Sequence, residues 1–338
     1  MFTVPENDET TRAMARGLIG ALAVDGQVDP IQVGIMQAMV SAMSTSPTDV
    51  TGLQPLTATE LADAVTDQVL REQFVSACLV LEMAVAPQPP AMHQRVREYA
   101  KALDIDNEFV GTMSLYAKNS LGMAYADLIR HGAVIEYQKQ LVKRDGLMSV
   151  ARNLAAKFGA AENGPLREKW EDLGHLPVGT LGKVVTEFYS ENGFTYPGTK
   201  GGVDPVLAQH DFVHVLADYA TAPMSEIEVF TFISAASPNP KTFSYALTLV
   251  ALFQSGVIAR VPGIATANPD HLSSPESAIR FSEAITRGAG LNQDFFSETN
   301  FFEFAALPVE EARKQLAIPP KTDRAAAAGS VGAFDFHW

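Results

Sequence analysis

The stretch His210-Asp211-Phe212-Val213-His214, followed after eleven residues by Glu226, limits the possible fold more than any other part of the chain. Histidines at i and i+4 share a helix face, roughly 6 Å apart at the backbone, so both rings can reach one ion. A straight helix from 214 to 226 would carry Glu226 about 18 Å from His214, at about 1.5 Å per residue. Metal–ligand bonds are only about 2 Å long. A shared ion therefore requires the chain to fold back between the two residues. Ala220-Thr221-Ala222-Pro223 supplies the bend, because proline is poorly tolerated inside a helix and suits the first turn of a new one. The expectation is a metal site.

A histidine pair at this spacing also fits a solvated face or a satisfied pair in the core. Asp211, the carboxylate beyond the break, and the apolar neighbours Phe212, Val213, Val215 and Leu216 favour the ion. Buried ionisable groups are costly unless paired or metal-bound. Asp211 itself stays ambiguous. A residue at i+1 points about 100° away on a helix, so it can be a ligand, orient an imidazole, or act as a base. Two histidines and a carboxylate leave coordination positions open, which suits zinc-assisted hydrolysis or iron(II) chemistry with O₂.

The chain has 338 residues, enough for two ordinary domains, and 47% of them are hydrophobic, enough for a sizeable core. A net charge of −14 argues against nucleic acid as a partner and against purely electrostatic docking on anionic membranes. The first nine residues lack the basic region and apolar run of a signal peptide. No stretch reaches the roughly 18 apolar residues of a membrane span, and the most apolar one, Tyr245 to Ile264, reads as a buried helix and a turn. The single cysteine, Cys78, permits no intrachain disulfide and reads as a small buried hydrophobe. The expected location is cytoplasmic, with peripheral attachment to the cytoplasmic membrane as the alternative.

The pattern along the chain is all-α, in two helical domains: residues 1–135, a helical linker at 136–164, a second domain at 165–320, and a flexible tail at 321–338. In the first, Arg12 to Asp25 closes at Asp25-Gly26, and Asp29-Pro30 starts the next helix as cap and first residue. Further helices open at Thr57, Asp67, Met92 and Asn107. The segment Ala21-Leu22-Ala23-Val24-Asp25-Gly26-Gln27-Val28-Asp29, with a later helix closing on Ala102-Leu103-Asp104-Ile105, resembles the TerB-like (tellurite-resistance B) domain. Those domains usually carry a second acidic turn. Val85 to Pro90 stands in its place, and Asp25 and Asp29 are read as helix-end residues.

Three blocks of the second half resemble the coenzyme Q biosynthesis protein 4 family. They are Leu176-Pro177-Val178-Gly179-Thr180-Leu181-Gly182-Lys183 running into Glu187-Phe188-Tyr189; His210-Asp211-x-x-His214 with Glu226; and Phe304 followed by Leu307 to Ile318. The sequence departs from the family at Asp218-Tyr219, where a glycine and a hydrophobic residue are usual, and in the glycine-rich approach Tyr196 to Gln209. The resemblance implies His210, Asp211, His214 and Glu226 as ligands of a divalent metal, zinc first, with iron or cobalt as alternatives. It implies a bacterial relative acting on the ring of a prenylated quinone precursor, by oxidative loss of a ring carboxyl and its replacement by hydroxyl; the residues themselves leave Asp211 as the candidate catalytic base. An apolar cleft walled by Phe243 to Phe253 and Val229 to Ile233 would take the isoprenoid tail.

The alternative is a non-enzymatic scaffold that binds an isoprenoid or quinone lipid, as a homo-oligomer or within a multi-enzyme complex. Thr180 to Lys183 at a helix start is read as a cap, or as a holder of a prenyl phosphate. A metallohydrolase ranks last. No Ser-His-Asp set can be argued, and His93, His131, His175, His271 and His337 are read as structural.

Overall fold

In the computed structural model, residues 3–335 are described except 45–47, 86–87, 107, 118–145, 206, 239–270, 273 and 297. The described residues are all-α, without a β-strand. Tyr245 to Ile264 and the proposed cleft helix Phe243 to Phe253 lie outside them. None of the described helices is long and apolar enough to cross a membrane.

Local chemistry sets the helix starts in the N-terminal half. Helix α1 (Asp8–Leu22) is capped by Asn7, whose side chain accepts from the Thr10 N–H. Asp25 and Gly26 take positive φ, 53° and 81°, and reverse the chain in a turn closed by paired Val24–Gln27 hydrogen bonds. Helix α2 (Pro30–Met43) opens on a reciprocal capping box between Asp29 and Gln32, with Pro30 at the first position. Helix α3 (Ala58–Ala64) repeats the box with Thr57 and Glu60. Asp67 caps α4 (Gln68–Met83), and α5 (Pro90–Ala102) and α6 (Glu108–Ala117) follow. Cys78 is fully buried in α4.

The second half contains α7 (Leu147–Lys157), α8 (Gly164–Leu173), α9 (Leu181–Glu191), α10 (Ala208–Ala217), α11 (Pro223–Ala236) and α12 (Pro275–Gly288), then the shorter α13 (Val309–Gln315) and α14 (Asp323–Ala327). Helix α11 is buried on nearly every side: Met224, Ser225 and all of Ile227 to Ala236 are buried. Met224, Ile227 and Ala235 join a core built mainly from α1, α2 and α4. Val229, Phe230, Phe232 and Ile233 join an aromatic core with Trp170, Phe188, Tyr189, Phe212 and Phe301. Helix α12 lies between α2 and α11. It packs closely on both: a Cβ on Gly34 would come within 2.9 Å of the Ala278 Cβ, and one on Gly288 within 2.4 Å of the Phe232 carbonyl.

The closing segment, expected to be a loose tail from 321, is packed as far as Asp335. Lys321 donates to the carbonyls of Asp218, Ser330 and Val331. Ala333 is buried, and Phe334 meets Phe188 edge-on with ring centres 6.2 Å apart. Small residues, which made this stretch look unstructured, let it lie flat against the end of α10.

Candidate metal centre

The bend that the spacing requires is made at the end of α10. Asp218 adopts the left-handed conformation (φ 61°), and its N–H and that of Tyr219 both turn back to the His214 carbonyl. Left-handed backbone favours glycine, the residue the family resemblance leads one to expect here. Asp218 holds the conformation through its side chain, which accepts from the Ala333 N–H at 3.2 Å and pairs with Lys321 at 3.7 Å. Pro223 then starts α11, and Glu226 sits in its first turn.

Both histidines are held by their Nδ1 atoms. His214 Nδ1 lies 3.0 Å from the Tyr219 carbonyl, and His210 Nδ1 contacts the Leu207 carbonyl. A carbonyl only accepts, so Nδ1 carries the proton and Nε2 of a neutral ring is a bare lone pair. The two Nε2 atoms face one carboxylate. His214 Nε2 is 3.4 Å from Glu226 Oε1, and His210 Nε2 is 3.6 Å from Glu226 Oε2. His214 Nε2 is buried and has no hydrogen-bond partner. Lone pairs facing carboxylate oxygens repel unless a cation or a proton lies between them. The arrangement has the donors of a cation site.

Asp211 reaches the centre differently. Its Oδ1 lies 3.5 Å from His210 Nδ1, on the opposite edge of the ring from Glu226, and its Oδ2 accepts from the Tyr189 hydroxyl. One donor atom from each of His210, Asp211 and His214 lies within 4.8 Å of the others, a group that can hold a metal ion. Phe188 stacks on the His214 ring (5.6 Å between centres), and Phe230 lies against His210 (4.8 Å). The side chains of His214 and Asp211 are 1% and 4% exposed, those of His210 and Glu226 12% and 17%, so the centre opens to solvent on the His210–Glu226 side.

Charge follows this geometry. Burial works against the His210 imidazolium, but the Asp211 and Glu226 carboxylates outweigh it and hold the ring's pKa at about 9. Burial also works against the Glu226 carboxylate, and the two histidines overcome it to bring its pKa to about 2. Burial raises Asp211, against the pull of both histidines and the Tyr189 hydroxyl.

The closing block of the sequence anchors this helix. Arg313 of α13 donates to the Leu216 and Val215 carbonyls (2.8 and 2.9 Å), and Arg287 of α12 to the Ala217 carbonyl (2.9 Å). Cations at a helix C-terminus satisfy its orphan carbonyls and oppose its dipole. The first block meets the third: the Leu181 and Gly182 N–H groups donate to the Leu307 and Ala305 carbonyls at 2.8 and 2.9 Å. The Thr180, Leu181 and Gly182 amides, three of those a prenyl phosphate would need, are therefore already engaged, and the Lys183 ammonium donates to the Gly174 carbonyl. Val229, Phe230, Phe232 and Ile233 are buried in the aromatic core, so they do not wall an open cleft. The described surface offers an open depression of about 630 Å³ lined by Val184, Glu187, Glu191 and Phe334.

Tyr189, Phe188 and Arg313 escaped sequence reasoning as site residues, and Phe230, read as a cleft wall, lies against His210 instead. The available signal was that Phe188-Tyr189 and Arg313 lie inside the two weaker blocks of the resemblance. Fold and site together define an all-α protein with a buried His–Asp–His cluster that can hold a metal ion. No family model, curated protein or solved structure matches the chain.

Proposed function

We propose that this is a metal-dependent protein of prenyl-quinone biosynthesis, with zinc as the first choice of ion and iron or cobalt as alternatives, acting on the ring of a prenylated precursor. The observation that carries the metal is the unpartnered His214 Nε2, directed with His210 Nε2 at one carboxylate. The donor set fits a divalent ion of intermediate softness. The ring chemistry rests on the resemblance of the three blocks, and their packing around α10 is consistent with a single working unit.

In this reading His210, His214 and Glu226 hold the ion. Asp211 orients His210 from the far edge of its ring, and Tyr189 holds Asp211 in place. A bound ion would supply Lewis acidity to the ring oxygens; exchange of the carboxyl for hydroxyl releases CO₂ and is a two-electron oxidation, for which O₂ would be the oxidant. Phe188 and Phe230 keep both imidazoles in plane. Substrate approaches from the more open His210–Glu226 side.

Metal analysis of the purified protein, organic extraction with mass spectrometry, and an assay on a prenylated ring carboxylic acid test the reading. A stoichiometric ion and turnover, both lost in His214→Ala with native circular dichroism, are expected. Bound prenyl lipid without turnover would move the assignment to the scaffold, and an ion without lipid or turnover to a metallohydrolase.

A further inference from the structure

The N-terminal half contains a second constellation that the metal centre does not use. Glu82 of α4, His93 of α5 and Ser114 of α6 lie in line. Glu82 Oε1 is 3.1 Å from His93 Nδ1, and His93 Nε2 is 2.7 Å from Ser114 Oγ. Carboxylate to Nδ1, then Nε2 to hydroxyl, is the order in which a histidine acts as general base for a serine. Exposure is graded along the line: Glu82 is 0% exposed, His93 6%, and Ser114 intermediate. The Gln88 amide donates to Glu82 Oε1 at 2.6 Å, while Glu82 Oε2 is buried without a partner. Burial raises the Glu82 pKa, and the His93 and Gln88 hydrogen bonds pull it back. A serine inside a helix ordinarily turns its hydroxyl to the carbonyl at i−4. Here that contact, to Val110, is 3.4 Å, and the histidine is closer.

We propose that Glu82, His93 and Ser114 form a metal-independent acyl-transfer site in which Ser114 accepts the acyl group of thioesters and aryl esters. The donor class follows from what surrounds the hydroxyl. Ser114 lies inside α6, where its own N–H belongs to the helix ladder, so it cannot serve as an oxyanion donor in the way a nucleophile at a helix start can. Loss of that donor costs about 10²–10³ in rate, which favours acyl donors whose leaving group departs easily over amides and alkyl esters. In the step, Ser114 Oγ bonds to the acyl carbon and its proton passes to His93 Nε2. The carbon–sulfur or carbon–aryloxy bond breaks, and the departing thiolate or phenolate takes the proton from His93. No oxidant or reductant is involved. The acyl group stays on Ser114 until water, deprotonated by His93, releases it.

Incubation of the full-length protein with p-nitrophenyl acetate, followed by peptide mass spectrometry and release kinetics, tests this. The expected result is one acetyl group on Ser114 in the native protein and equally in His214→Ala, none in Ser114→Ala, and acetylation slowed at least about tenfold in Glu82→Gln and further in His93→Gln, general-base contributions being about 10²–10⁴. Acetylation confined to lysines, or an unmodified Ser114 in the native protein, overturns the proposal whatever the variants do. An acetylated Ser114 whose rate is indifferent to Glu82→Gln and His93→Gln, with circular dichroism native, overturns the relay.

Discussion

At the scale of single residues, His210 and Glu226 make the metal-free protein sensitive to pH in a defined sense. The folded pKa of His210, about 9, lies above its ordinary value of about 6.5. Its contribution is complete below about 6.5 and is lost as the pH rises through about 9. Glu226, at about 2, lies below its ordinary value of about 4.3, so its contribution is present above about 4.3 and is lost as the pH falls through about 2. Asp211 is raised and works in the opposite sense on the acid side. Thermal melts of the chelated protein should therefore show these groups stabilising most between about pH 4.3 and 6.5, and less toward pH 9. Metal requires deprotonated imidazoles, so stabilisation by added zinc should grow with pH over the same range. A melt that rises toward pH 9 without metal would contradict the pairing. Tyr189 offers a second check. Removing its hydroxyl leaves Asp211 Oδ2 buried without that donor, and Tyr189→Phe should cost about 1–3 kcal/mol in urea unfolding.

At the scale of elements, α10 ends in an unusual concentration of donors: Arg313, Arg287 and Lys321 from three later segments serve the carbonyls of residues 215–218. Arg313→Ala leaves two carbonyls to water or to strain and frees the end of the helix that carries His214. A loss of about 1–3 kcal/mol is expected, together with weaker zinc binding by competition with a chromophoric chelator. Unchanged affinity would mean that the bend, and not α13, positions His214. The element level also explains what could be read along the chain. Capping at Asp29, Thr57 and Asp67, and Pro223 at a helix start, are contacts over one to three residues, and these are visible as pattern. The 321–335 segment was misread because its partners, Asp218, Ala220 and Phe188, lie a hundred or more residues away.

At the scale of the whole molecule, α12 ties the helix bearing Glu226 to the N-terminal core. The crossings are close because Gly34, Ala278, Gly288 and Ala235 present little side chain, and the Arg280–Glu228 pair (2.5 Å) and the Ser282 hydroxyl to the Gly34 carbonyl (3.3 Å) add polar links on both faces. Gly288→Val would press its side chain into the α11 backbone and should destabilise by more than the about 1 kcal/mol typical of point mutants. Hydrogen exchange should then report lost protection in both α11 and α2. Loss confined to α11 would show that the N-terminal core stands without α12.

The sequence alone was sufficient for the helical class, the main helix starts, and the folding-back that brings Glu226 to His210 and His214, because each depends on spacing and on contacts a few residues apart. Only the tertiary structure decided that Asp211 meets the far edge of the His210 ring with Tyr189 behind it, that Arg313 closes α10, and that Glu82, His93 and Ser114 line up. These contacts join different helices, and which faces meet is set by how apolar surfaces pack around shared cores, a property of the assembled chain that no local spacing encodes.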